Sequence, residues 1–212
     1  MSNNLITVRA WVVGLFVGLA TLSSCTKRGV EQDNRGIVAT LSKEKVRIEV
    51  LAPDIVHVSA VPVGSKFSTV PSLIAVEQKY DVPFDVEDGE KQVVIKTSEL
   101  AVTLNKETGK VSYADKDGNQ IISENERTYS PIEVEGTKAF TVRQVWDTPE
   151  DEALYGLGQH QADEWNYKGL NEELYQYNTK ISVPFIVSTR GYGILWDSYC
   201  FCRWGDPRDY AQ

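Results

Sequence analysis

Between Gln159 and Asn178 the chain mixes Trp165, Tyr167, Tyr175 and Tyr177 with Asp163, Asn166, Gln176 and Asn178. Aromatic faces cover the apolar C–H faces of sugar rings, while carboxylate and amide side chains hydrogen-bond hydroxyl groups. Of the 21 Phe, Trp and Tyr residues, 12 fall in residues 155–212, so the aromatic surface is concentrated around this stretch. The order Asp163-Glu164-Trp165-Asn166 breaks strand alternation. It therefore predicts a loop, and loops carry sites. Asp163, Trp165 and Asn166 are the candidate substrate-binding residues, with Tyr167 expected to be exposed beside them. Tyr155, Phe185 and Trp196 lie within strand-like runs and are expected in the core. The competing role for Trp165 is packing.

Other chemistries lack their residues. His57 and His160 are far apart, and neither has a Ser or Cys at a spacing that suggests a triad. No glycine-rich phosphate loop occurs. The acidic run Asp147–Glu152 has no calcium-loop order and reads as a solvated loop. Cys200 and Cys202 are two residues apart, where a mutual disulfide is strained and a zinc site lacks ligands. They are expected to be small buried hydrophobes. No catalytic residue, metal or cofactor is assigned. The net charge of −8 argues against a nucleic-acid partner, which requires a basic face.

Cys25 offers a different chemistry. Arg9 precedes an apolar run from Ala10 to Leu22. That run is shorter than the ~20 residues of a membrane span and has the length of a signal-peptide core. Leu22-Ser23-Ser24-Cys25 is similar to a bacterial lipobox, in which small side chains precede a cysteine whose thiol takes a diacylglyceryl group. Several acyl chains on one residue give stable anchoring. The expected organisation is a signal peptide over 1–24, a tether over 25–40 and one domain over 41–212. The expected location is the membrane surface, facing periplasm or exterior, with Cys25 lipidated.

The elements that must position the loop are strands. Val46–Leu51 and Ile55–Ala60 alternate around Ala52-Pro53-Asp54 and predict a hairpin. Gln92–Thr97 and Leu100–Leu104 predict a second pair. Turns at Lys106–Gly109 and Asp115–Asn119 bracket a strand at Val111–Tyr113, and Ile121-Ile122 follows. Further strands are expected at Ala139–Val145, Ile181–Ser188 and Tyr192–Asp197. The only helical candidate is a short turn within Asp163–Gln176, interrupted by Gly169. Many short strands with regular turns predict an all-β, antiparallel β-sandwich.

Tyr155-Gly156-Leu157-Gly158-Gln159 resembles a motif of glycoside hydrolase family 31. The family's later segments follow in order: Leu174-Tyr175-Gln176-Tyr177-Asn178, Val183-Pro184-Phe185, and Arg190-Gly191-Tyr192-Gly193 running to Asp197. The turn Tyr113–Gly118 also fits, so the resemblance covers roughly Leu41–Tyr210. Gln159-His160-Gln161 and Arg203-Trp204-Gly205-Asp206 are most similar to the α-xylosidase branch. The resemblance implies a mutarotase-like N-terminal sandwich followed by a catalytic (β/α)₈ barrel. It also implies a retaining mechanism with two carboxylates about 5 Å apart. In the family both come from the barrel, and no catalytic Asp motif occurs in this sequence.

The expectation is therefore an N-terminal portion of an α-glycosidase acting on plant or dietary glycans, inactive alone, with the barrel as its missing partner. The implied ligand is an oligosaccharide or polysaccharide, and the Gln159–Asn178 region matches a loop that reaches the substrate cleft. The alternatives are a stand-alone carbohydrate-binding lipoprotein or a purely structural sandwich.

Overall fold

The computed structural model describes residues 28–76, 81–161 and 165–205. Cys25, the expected signal peptide and Asp163 lie outside those residues. The described residues form fifteen strands and no helix. The first sheet runs in sequence order through β1 (Gly29–Gln32), β2 (Gly36–Thr40), β3 (Glu44–Ala52) and β4 (Ile55–Pro62), all antiparallel. The second is an antiparallel meander of β5 (Asp85–Asp88), β6 (Gln92–Lys96), β7 (Leu100–Asn105), β8 (Val111–Asp115), β9 (Gln120–Val134) and β10 (Thr137–Asp147).

Period-two alternation decides which side chains face inward. Val46, Ile48 and Val50 of β3 pack with Val93 and Ile95 of β6 and with Val102, Leu104 and Val111 of β7 and β8. These residues are almost fully buried. Each such side chain contributes about 1.5–3 kcal/mol on burial. Both hairpins expected around residues 46–60 and 92–104 are present. The Asp115 turn is held by its own carboxylate, whose Oδ1 accepts from Asp117 N at 2.9 Å and Asn119 N at 2.8 Å.

The expected 25–40 tether is corrected. Strands β1 and β2 lie inside it, and Ile37 and Ala39 are buried against β3. Strands of four and five residues beside a polar stretch are too short to stand out, and only the pairing of β1 with β2 and of β2 with β3 fixes them.

A third sheet has the order β11 (Leu154–Gln159), β13 (Ile181–Ser188), β14 (Gly193–Leu195). Strand β12 (Glu172–Leu174) pairs with β15 (Cys202–Trp204). Leu154, Leu157, Tyr167, Leu174 and Ile186 form a second core, with Ile194, Cys202 and Trp204 packed against it.

The opposite face of the third sheet is apolar and open. Ile181, Val183, Phe185 and Val187 of β13 are each 40–50% exposed. Tyr155 lies opposite Val187 and Leu195 opposite Phe185. Tyr155, Phe185 and Trp196 are therefore exposed rather than in the core. A strand apolar on both faces cannot reveal from sequence which face its own domain covers. Cys200 is likewise exposed, and only Cys202 packs against a core. The expected helical turn is also absent among residues 165–176, where a turn leads into β12.

Candidate functional site

The two glycines of the Tyr155–Gln159 segment shape β11. Gly156 has φ of 128° and Gly158 of 98°, and the register with β13 shifts between them. A Cβ on Gly158 would sit 2.1 Å from Ile181 O, and one on Gly156 2.3 Å from Phe185 O. Only glycine accepts both the conformation and the approach. Leu157 between them is held at φ 64° and is buried in the second core. The bulge thus turns one leucine inward, and pairing with β13 resumes at Gly158 and Gln159.

The connection after β11 returns to this strand. Asn166 Oδ1 accepts from Leu154 N at 2.9 Å and from Lys168 N at 3.0 Å. Tyr167 N donates to Leu154 O at 2.8 Å. Tyr167 is buried, which corrects its expected exposure, and Trp204 Nε1 donates to its carbonyl at 3.4 Å. Trp165 is 83% exposed immediately before this double anchor. Of the candidate residues, Trp165 presents its ring to solvent, Asn166 is exposed with its carbonyl committed to the backbone, and Asp163 lies outside the described residues.

A buried charge cluster lies at the mouth of the connection. His160 Nε2 donates to Leu157 O at 2.7 Å, and its ring stands edge-on to Tyr167. His160 Nδ1 lies 3.2 Å from Glu172 Oε1, within ion-pair distance but without hydrogen-bond alignment. Lys180 Nζ donates to the same Glu172 oxygen and, at 2.6 Å, to Glu173 O. Lys180 Nζ also lies 5.2 and 5.8 Å from the ring centroids of Tyr175 and Tyr177, which stack on each other.

A second cluster was missed in the sequence. Glu152 belongs to the acidic run expected to be solvated, yet its side chain is fully buried. It accepts from Ser188 Oγ, and Lys168 Nζ stands 3.8 Å from its other oxygen. Lys168 Nζ also donates to Thr148 Oγ1 and Pro149 O. Burial first, and then the Glu152 charge, push the Tyr192 hydroxyl above its usual pKa, although the two side chains do not align as a hydrogen bond. Glu152 was legible only as one more acid in a charged run, since its partners come from 16 and 36 residues away.

Among the described residues no group of three or more His, Cys, Asp or Glu side chains is arranged to hold a metal ion. A surface cavity of about 510 Å³ lies elsewhere, around Lys43, Gly109, Glu124 and Arg127. The arrangement can offer an aromatic plate and hydrogen-bonding groups.

Residues 45–204 match the family model described as the glycosyl hydrolase 31 N-terminal galactose mutarotase-like domain. An α-xylosidase of Saccharolobus solfataricus is 35% identical over 120 residues, covering 52% of this chain and 16% of that protein. The crystal structure of the GH31 α-xylosidase from Xanthomonas citri superposes with a TM-score of 0.79 at 39% identity, covering 85% of this chain and 20% of that one. A GH31 α-xylosidase from a soil metagenome, solved with xylose, has the same fold at a TM-score of 0.72 and 24% identity, covering 82% of this chain and 29% of its own. The chain thus spans a minor part of the length of each of these relatives.

Proposed function

The chain belongs to the family of glycosyl hydrolase 31 N-terminal galactose mutarotase-like domains, and from that premise we propose that it serves as the N-terminal module of a retaining, α-xylosidase-like glycosidase. In this reading it acts on plant or dietary glycans through a catalytic barrel that supplies the nucleophile and the acid/base. The sandwich contributes the segment around Trp165 to the substrate cleft. Asp163, Trp165 and Asn166 meet the sugar, with Trp165 stacking on a ring face and Asp163 accepting from hydroxyls. Cys25 carries the lipid that holds the enzyme at the membrane, facing periplasm or exterior.

The observation that carries the reading is the pairing of an outward aromatic with an uncovered sheet. Trp165 is 83% exposed beside the bulged β11 strand. The adjoining sheet leaves Tyr155, Ile181, Val183, Phe185, Val187 and Leu195 open on one face. Contiguous apolar surface of that kind marks an interaction site.

The test compares three preparations on an aryl α-xyloside: the 212-residue chain, the chain joined to a family 31 catalytic module, and the joined protein with Trp165→Ala. The first has no turnover, because an aromatic loop cannot replace two positioned carboxylates. The second turns over, and the third loses about tenfold or more in kcat/KM at unchanged stability. Turnover by the chain alone, free of contaminating hydrolase, overturns the reading.

A further inference from the structure

We infer that His160, Glu172 and Lys180 form a buried clasp that presets Trp165 for a sugar ring, an inference that rests on the reading of Trp165 above. His160 lies just after β11, and Glu172 opens β12, so the pair closes the two ends of the connection that carries Trp165. Lys180 joins from the turn before β13. The side chains of the three are 3%, 16% and 9% exposed.

Backbone strain collects at the same place. Three non-glycine residues among those described have positive φ, and two of them flank the clasp. Leu157, at φ 64°, offers the carbonyl that receives His160 Nε2. Thr179, at φ 74°, immediately precedes Lys180. Such conformations persist only where the surroundings over-determine them, and they cluster at working sites. The third, Glu135, sits in the β9–β10 turn.

Stability alone does not account for the cluster. Buried charges pay heavily for lost hydration, and apolar residues of the same volume would hold the mouth of a connection as well or better. His160 Nδ1 is nearly inaccessible and has no hydrogen-bond partner, which a purely stabilising arrangement would avoid. What charges give and apolar packing does not is one fixed geometry. Here that geometry fixes the chain where it leaves β11 and where it enters β12, while Asn166 and Tyr167 pin the connection to Leu154. An aromatic plate held in place before the sugar arrives avoids the ordering cost of binding. The three residues are positioning residues and touch no substrate.

Two measurements on Glu172→Gln, Lys180→Met and Lys180→Arg test the clasp. The first is amide exchange at Tyr167 and Lys168 in the 212-residue chain, with the melting temperature alongside. Glu172→Gln and Lys180→Met raise exchange there about tenfold while residues of the first core, such as Val102, keep wild-type protection; Lys180→Arg restores it. The second is hydrolysis of an aryl α-xyloside by the chain joined to a catalytic module. KM rises about fivefold in Glu172→Gln with kcat within about twofold, the signature of lost preorganised binding. Wild-type exchange at Tyr167 and Lys168 in both Glu172→Gln and Lys180→Met overturns the clasp. Exchange raised equally throughout the chain also overturns it, because that is general destabilisation. If exchange responds as stated but Trp165→Ala leaves KM unchanged, the clasp stands as the positioner of this segment and the cleft reading of Trp165 falls.

Discussion

The guanidinium of Arg127, on β9 in the second sheet, lies 3.0 Å from the carboxylate of Glu44, at the start of β3 in the first, with both side chains only 8% exposed. The same guanidinium bonds Glu124 at 2.5 Å, and Tyr129 donates to Glu44 at 2.7 Å. One cation thus ties two buried carboxylates and, through them, two sheets. Burial pushes the pKa of Tyr129 up, and the hydrogen bond to Glu44 adds to it.

Removing the shared cation is the most damaging single change in this cluster. Arg127→Met leaves Glu44 and Glu124 buried without their charge partner, and breaking such a pair costs about 3–5 kcal/mol. Urea unfolding of the 212-residue chain measures it. A loss below about 1 kcal/mol shows that the carboxylates reach water once the arginine is gone.

Glu124 has its own pH signature. Burial raises its pKa, outweighing the lowering by Arg127 and by the Val111 amide. A carboxyl raised in the folded state binds its proton more tightly there than in the unfolded chain. Its contribution to stability is full below the unfolded value of about 4.3 and is lost as pH rises through the folded value. Glu124→Gln removes that dependence, so the mutant gains on wild type as pH rises above the unfolded value of about 4.3. Parallel melting curves across that range contradict the assignment.

The bulge in β11 predicts an unequal pair of glycine substitutions. Gly158→Ala meets both a φ of 98° and a carbonyl 2.1 Å from the new carbon. Gly64→Ala meets a φ of 89° with nothing within 4 Å. Backbone strain alone costs on the order of 1 kcal/mol, so Gly64→Ala loses about that much and Gly158→Ala at least twice it. Equal losses in thermal denaturation show that β11 can shift away from β13.

Neighbouring residues of the loop separate by stability. Asn166→Ala strands two backbone donors, at Leu154 and Lys168, and costs about 1–2 kcal/mol. Asn166→Asp keeps the acceptor and loses less. Trp165→Ala, at an 83% exposed position, changes stability by no more than about 0.5 kcal/mol. A melting temperature many degrees lower for Trp165→Ala assigns that residue to packing.

The anchor is tested by Cys25→Ser. Loss of the thiol blocks acylation, so the protein leaves the membrane fraction or remains unprocessed. Unchanged membrane recovery with an unchanged lipid label removes the lipoprotein reading.

The sequence by itself determined the local order of this protein. Alternation in Val46–Leu51, Gln92–Thr97 and Leu100–Leu104 marked the strands found at Glu44–Ala52, Gln92–Lys96 and Leu100–Asn105, and the Asp115 and Gly109 turns set where they reverse, because period-two burial and turn chemistry act between near neighbours. The Tyr155–Gln159 and Arg190–Gly193 segments carried the family, since their glycines answer to backbone geometry that a reader of residues can recognise. Tertiary structure decided what depends on partners distant along the chain. Glu152 is buried because Ser188 and Lys168 come to it, and Tyr167 because the Leu154 carbonyl and Trp204 hold it. Tyr155 and Phe185 are open because the second core takes only one face of a strand apolar on both. Alternation tells one face of a strand from the other, but which face is covered is settled by what packs there, and that is a property of the assembled sheets.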